Sequence, residues 1–304
     1  MPKLTHHPLV GLTPAVLTPF DAAGDLNLAA VGRQAERLVA DGVRAVFVGG
    51  TTGEFSSLSV PEREALAGRW LDVARGSGLR VVIHVGANAL PDARHLAAHA
   101  ERHGAAAIAG VTPSYVKPRT PAALAGWCRA VAAAAPGTPF YFYDIPAFTG
   151  VGFPMPEFLE RFADSIPTLA GLKFSNPDLM AFQRLVHLRG GRFDVVWGLD
   201  EYLLAALVLG GRGAVGATYN FAAPLYHRII DALKAGDLPA ARAAQYRAVE
   251  LITPLHRYGF LAACKELMRA RGLDLGPVRL PQANLTAEEA RAFRAELEAM
   301  GVWS

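Results

Sequence analysis

Short apolar runs alternate with longer amphipathic segments along this chain. Val10 to Leu17 reads as a strand, and Leu28 to Ala40, with Ala, Val and Leu at helical spacing, as a helix. The pattern continues with strands at Val43–Val48, Leu79–Val85, Ala105–Val111 and Thr138–Tyr143. Helices follow them at Pro61–Ala74, Asp92–His103, Pro121–Ala135 and Pro156–Ala163. Three more strands, Leu169–Phe174, Phe193–Trp197 and Gly213–Ala217, precede helices at Asp178–Leu188, Glu201–Leu209 and Leu225–Ala235. Strands with so few alternating polar positions suit a parallel sheet buried on both faces. Strict alternation of the two element types predicts an α/β architecture, either a closed barrel or an open doubly wound sheet. Eight strand–helix pairs, and no Gly-x-Gly-x-x-Gly after the first strand, favour a (β/α)8 barrel. Beyond about residue 236 the strand signal stops, and Leu238–Tyr258, Leu261–Arg271 and Ala287–Met300 look helical. The expected organisation is a barrel over residues 1–236 and a helical extension over 237–304 packed on it as one domain.

Composition narrows the function classes. At 304 residues the length alone suggests two domains, but barrels of roughly 250 residues form single domains. Hydrophobic residues at 52% and charged residues at 19% supply a large core and exclude a disordered chain. The net charge of +3 is scattered, whereas nucleic-acid binding needs a clustered basic face. Cys128 and Cys264 lie far apart without metal-ligand spacing, which fits a reducing compartment. The segment Met1 to His7 lacks the apolar core of a signal peptide, and no stretch of about 18 apolar residues is free of charge. The expectation is a cytoplasmic protein with no membrane span and no nucleic-acid partner.

In a barrel of this kind, catalytic side chains sit at the C-terminal ends of the strands. The sixth exit reads Ala170-Gly-Leu-Lys173-Phe-Ser175. A lysine there either snorkels to the rim or stays buried. Burial disfavours the ammonium form, and a neutral amine attacks a ketone to form a Schiff base. The other lysines, Lys3, Lys117, Lys234 and Lys265, lie at a terminus, in a loop or on helices. The fifth exit carries Tyr143, either a proton shuttle or one more packed aromatic after Tyr141 and Phe142. The second exit, Gly49-Gly-Thr51-Thr52-Gly53-Glu54, is either a tight turn or a cradle for a carboxylate. The seventh, Trp197-Gly198-Leu-Asp200-Glu201, offers carboxylates either to a polyol or to the start of the next helix. His95, His99 and His103 share a helix face that reads as solvated rather than metal-binding, and His84 as a core or pocket polar group. No Walker pattern is present.

Taken together and in this order, Gly50-Thr51-Thr52-Gly53-Glu54, Tyr143-Asp-Ile-Pro146, Gly171-Leu-Lys173 and Gly213-Ala-Val-Gly216 resemble the family of dihydrodipicolinate synthase and N-acetylneuraminate lyase. The resemblance runs from about residue 9 to the C-terminus. It is greatest to the lyase branch, through Ile145–Val151, Lys173–Leu179, Gly198–Leu204, Ala214–Asn220 and Gly276–Pro281. It implies a (β/α)8 barrel with C-terminal helices, usually a homotetramer, and a Schiff base between a lysine and the keto group of a small 2-oxo acid. Lys173 matches that lysine, Tyr143 the proton-shuttling tyrosine, and Thr51 and Thr52 the pair that binds the 2-oxo acid carboxylate. Gly198, Asp200 and Glu201 match the segment that holds sugar hydroxyls, and Ser175 a hydroxyl that touches substrate. Tyr115 matches a tyrosine lent across a subunit interface. No metal and no separate cofactor are implied.

Synthases of this family place an arginine two residues after the proline of the tyrosine motif, to grip a second carboxylate. Phe148 stands there and cannot do so, which counts against the synthase activity. Two positions depart from the sialate lyase pattern: Thr51 replaces a serine, and Ala217 replaces a serine before Thr-Tyr-Asn. The second removes a hydrogen-bonding group, and an unpaired hydroxyl in a closed site costs about 1–3 kcal/mol. The expected reaction is retro-aldol cleavage of a 2-oxo-3-deoxy sugar acid, with N-acetylneuraminate as first choice. The alternatives are another pyruvate aldolase, a 2-keto-3-deoxy acid dehydratase, and a 2-oxo acid sensor without turnover.

Overall fold

Each of the eight apolar runs becomes a strand in the computed structural model, which describes residues 7–301. The tail through His6, including Lys3, and residues 302–304 lie outside the described residues. The strands are β1 (Gly11–Pro14), β2 (Ala45–Val48), β3 (Arg80–His84), β4 (Ala107–Val111), β5 (Phe140–Asp144), β6 (Leu169–Phe174), β7 (Asp194–Trp197) and β8 (Gly213–Gly216). From β2 to β8 each pairs in parallel with the next, and β8 pairs with β1. Closure between β1 and β2 is a bridge of Ala15 to Phe47, where Val16 N–H donates to the Phe47 carbonyl at 3.0 Å. The sheet is therefore a (β/α)8 barrel.

The apolar strand pattern follows from two buried faces. Alternate residues such as Phe47, Val82, Ala109 and Tyr141 fill the barrel interior. Their neighbours Val46, Ile83, Ile108 and Phe142 pack outward against the helices. These are α1 (Ala30–Ala40), α2 (Val60–Ala74), α3 (Leu90–Arg102), α4 (Pro121–Ala132), the single turn α5 (Pro146–Thr149), α6 (Met155–Phe162), α7 (Leu179–His187), α8 (Leu203–Val208) and α9 (Tyr219–Lys234). Three more, α10 (Leu238–Arg257), α11 (Phe260–Ala270) and α12 (Ala287–Ala299), follow the barrel. Several start where a side chain satisfies an orphan N–H. Ser59 with Glu62, and Thr286 with Glu289, form capping boxes, and Thr120, Asp178 and Asp237 cap singly. Among the described residues no helix is long and apolar enough to cross a membrane.

Three elements differ from the sequence expectation. The first strand is shorter than Val10–Leu17, because its ladder with β8 ends at Pro14 and Ala15 bridges instead to Phe47 of β2. The helix expected from Leu225 starts at Tyr219 and carries Pro224 inside it. A proline removes an intrahelical bond and crowds the preceding turn, and two residues before it Ala222 departs from helical geometry with φ of −126°. The helix expected from Glu201 starts at Leu203, after a 3-10 turn over Asp200–Tyr202. Asp200 and Glu201 thus sit on the turn that leaves the barrel and not inside the helix.

Candidate active site

Parallel pairing of β5 with β6 sets Tyr143 directly beside Lys173. Both are buried, at 3% and 4% exposure. The side chain of Lys173 enters the barrel and places Nζ 4.3 Å from the ring centre of Phe47 and 4.1 Å from that of Tyr143. Ring faces attract a cation more weakly than a buried carboxylate does, so the nitrogen is positioned without being locked in an ion pair. His84 packs edge-on to Tyr143 at 6.0 Å and donates from Nδ1 to the Gly49 carbonyl at 2.8 Å. Burial, then the charges of Arg63 and Lys173, hold this imidazole neutral, with its pKa well below the ordinary histidine value.

The loop after β2 folds back over this group. Gly49 takes a left-handed φ of +66°, and a Cβ on Gly50 would come within 2.7 Å of the Phe47 ring. Thr18 Oγ1 donates to the Gly53 carbonyl at 2.7 Å. The turn carries Thr51 and Thr52, both half-buried, and Thr51 Oγ1 shares a hydrogen bond with the Tyr143 hydroxyl at 3.3 Å. Lysine amine, phenol and threonine hydroxyl thus converge at the C-terminal mouth of the barrel. A ketone can meet the amine there while its acid group meets hydroxyls.

Ser175, just past β6, is buried and donates from Oγ to the Gly198 carbonyl at 3.2 Å. A Cβ on Gly198 would lie 1.9 Å from that oxygen, so only glycine leaves room for Ser175. Asp200 is buried, with Oδ2 accepting from Thr218 N at 2.8 Å and from Thr218 Oγ1 at 2.6 Å. Burial pushes its pKa up to about 6, against the Thr218 bonds and the Lys173 charge, which lower it. Glu201 is half-buried. Tyr115 stands apart from the cluster within one chain, with 88% of its surface exposed on the loop after β4.

Sequence reasoning missed Thr18 and Thr218, which act through contacts distant in the chain, and left His84 without a task. Of the histidines on α3, His95 pairs with Glu64 at 2.8 Å and His99 stacks on His103. Among the described residues no group of three His, Cys, Asp or Glu side chains is placed to hold a metal ion.

Asp144, next to Tyr143, gives a pH-dependent prediction. Its carboxyl is buried and accepts from Asn176 Nδ2 at 3.2 Å. Burial raises its pKa from 3.8 to about 7, with the Asn176 bond opposing. The folded state therefore holds this proton more tightly than the unfolded chain does. The associated stability is complete below about pH 3.8 and is lost as pH rises through about 7. Asp144→Asn keeps an oxygen for Asn176 and has no charge to bury. It is expected to melt like the parent near pH 4 and to be more stable at pH 8 by on the order of 4 kcal/mol. Thermal denaturation at the two pH values checks this, and an equal difference at both would refute titration at Asp144.

Comparison with known proteins places this arrangement. The model of the dihydrodipicolinate synthetase family matches residues 8–300. The N-acetylneuraminate lyase of Rattus norvegicus is 39% identical over 300 residues, covering 97% of this chain and 94% of its own. The N-acetylneuraminate lyase of Proteus mirabilis superposes with a TM-score of 0.93 at 38% identity, covering 96% of this chain and 99% of its own. A catalytic-lysine mutant of the Ruminococcus gnavus sialic acid aldolase superposes with a TM-score of 0.90 at 29% identity, over 96% and 95% of the two chains. With a match over nearly its whole length and a barrel that superposes as closely, the chain belongs to the dihydrodipicolinate synthetase family.

Proposed function

We propose that this protein is a class I aldolase that cleaves a 2-oxo-3-deoxy sugar acid, with N-acetylneuraminate as the first substrate, into pyruvate and N-acetylmannosamine. The observation that carries this reading is the buried amine of Lys173 against the ring of Tyr143, whose hydroxyl meets Thr51. Nζ attacks the C2 ketone and water leaves, giving an iminium. The C3–C4 bond then breaks with its electron pair drawn into the iminium, which becomes an enamine. Tyr143 relays the C4 hydroxyl proton by way of the substrate carboxylate, and the aldose departs. The enamine takes a proton at C3, and hydrolysis of the imine releases pyruvate and restores the amine.

Thr51 and Thr52 hold the carboxylate in this scheme, while Ser175, Gly198, Asp200 and Glu201 face the polyol. No separate cofactor takes part. Phe148, exposed after β5, offers no charge to a second carboxylate, which disfavours the dihydrodipicolinate synthase reaction. In a homotetramer the exposed Tyr115 would complete a neighbour's site. A cytoplasmic setting fits the two free cysteines, both buried.

Ala217 favours a second reading of the substrate. It is buried beside Thr218 and offers no hydroxyl, so a 2-keto-3-deoxy sugar acid with a different tail is the alternative. The test is to supply N-acetylneuraminate and measure pyruvate and N-acetylmannosamine in equal amounts. Equimolar release is the expected result. Turnover of a 2-keto-3-deoxy acid without pyruvate would replace the aldolase with a dehydratase. Binding without turnover of either would leave a 2-oxo acid sensor.

A further inference from the structure

Behind the loop that carries Thr51 and Thr52 lies a buried ion pair that the reaction scheme does not use. Glu54 ends that loop in the left-handed region, with φ of 55°, although it is not glycine. Such a conformation persists where its surroundings over-determine it, often at functional sites. The constraint here is its carboxylate, which is held by α11 and the segment that follows it. Oε1 pairs with Lys265 Nζ of α11 at 3.0 Å, with both side chains almost fully buried. Oε2 accepts from the backbone N–H of Arg279 at 2.9 Å. Lys265 is itself held, since Nζ donates to the Pro277 carbonyl at 2.6 Å and lies 4.2 Å above the Phe20 ring. The Arg279 guanidinium covers the same ring and binds the carbonyls of Gly24 and Ser57, both at 2.9 Å. On the loop side, Glu54 N–H donates to the Thr51 carbonyl at 3.0 Å. A continuous path of contacts therefore runs from α11 through Glu54 to Thr51.

We propose that the Glu54–Lys265 pair is a positioning device of the active site, which sets the Thr51–Thr52 hydroxyls for the substrate carboxylate from outside the barrel. It explains why the segment around Gly276–Pro281, remote in sequence, closes against the second strand exit. The proposal rests on the reading of Thr51 and Thr52 as carboxylate holders. Neither Glu54 nor Lys265 touches substrate in it.

The experiment is borohydride trapping of pyruvate at increasing pyruvate concentration, read by intact mass, with melting temperature measured in parallel. Lys265→Met strands a buried carboxylate and is expected to lose stability. The deciding variant is therefore Glu54→Gln/Lys265→Met, in which both charges are removed together and the melting temperature is expected to return. If the pair positions the loop, half-saturation by pyruvate in this double variant stays raised by about tenfold or more, the worth of one charge-assisted hydrogen bond. Labelling at saturating pyruvate still reaches the parent level, because Lys173 is untouched. Parent-like pyruvate dependence at parent-like melting temperature overturns the proposal. So does a double variant in which binding and melting temperature fall together, the behaviour of a pair that only stabilises the fold. Failure of the parent itself to label is a different result, which sinks the aldolase reading first.

Discussion

Lys173→Ala is expected to lose both pyruvate release and covalent trapping by pyruvate and borohydride, while the fold survives. The nitrogen of Lys173 lies over two rings and makes no direct ion pair, so its removal breaks no buried salt bridge, and Asp200 loses only a longer-range attraction while keeping both Thr218 bonds. The penalty of breaking a buried pair, about 3–5 kcal/mol, therefore does not apply. What remains is the packing of the stem, and the ring walls of Phe47 and Tyr143 are held by their own strands. Chemistry has no such reserve, because without the amine no iminium forms to accept the C3–C4 electron pair. A second buried lysine makes the experiment discriminating. Lys265 is as enclosed as Lys173, but its nitrogen is occupied by Glu54 and the Pro277 carbonyl. Peptide mapping of the trapped parent protein is expected to find the adduct on Lys173 and none on Lys265. An adduct that persists in Lys173→Ala, on whichever lysine, would sink the assigned mechanism.

The contrast between the two lysines also marks what the sequence makes legible. Lys173 stands out because it lies at the C-terminal end of an apolar strand, and in a barrel that end faces the mouth. The strand pattern locates Tyr143 in the same way, and pairing of β5 with β6 then brings the two together. Lys265 lies on a helix with charged neighbours, and nothing local says that α11 turns that residue inward. Its burial comes from packing against Phe20 and Glu54, each more than 200 residues away in the chain. The same limit applies to Asp200. Two adjacent carboxylates at a strand exit suit a helix start as well as a sugar, and the sequence holds no sign that Thr218 would take up one oxygen. Helix α9 shows the reverse error, a local rule overridden by tertiary packing. The start expected at Leu225 falls just after Pro224, yet Tyr219 and Asn220 are fully buried in the first turn of the helix, where Asn220 donates to the Ala15 carbonyl and helps close the barrel. Features fixed by periodicity and strand position can be read from one sequence, whereas those fixed by contacts between distant segments cannot.

Tyr143→Phe is expected to separate covalent capture from bond cleavage. The change removes one oxygen and keeps the ring on which Lys173 rests and against which Phe47 and His84 pack. Pyruvate trapping on Lys173 is therefore expected to persist. Turnover of the sugar acid is expected to fall by about 10²–10⁴-fold, the range for loss of a positioned proton-transfer group. The size of the effect matters more than its direction. The Tyr143 hydroxyl also meets Thr51 Oγ1 at 3.3 Å, and losing that bond alone, at about 1 kcal/mol, would cost roughly fivefold. A fall of that smaller size, with raised half-saturation for substrate, would make Tyr143 a support for the carboxylate loop and leave a water molecule to carry the proton. A fall beyond a hundredfold at unchanged half-saturation exceeds what the Thr51 contact supplies and places the phenol on the proton path. Measuring turnover and half-saturation on the sugar acid, beside trapping with pyruvate, decides between the two roles in one variant.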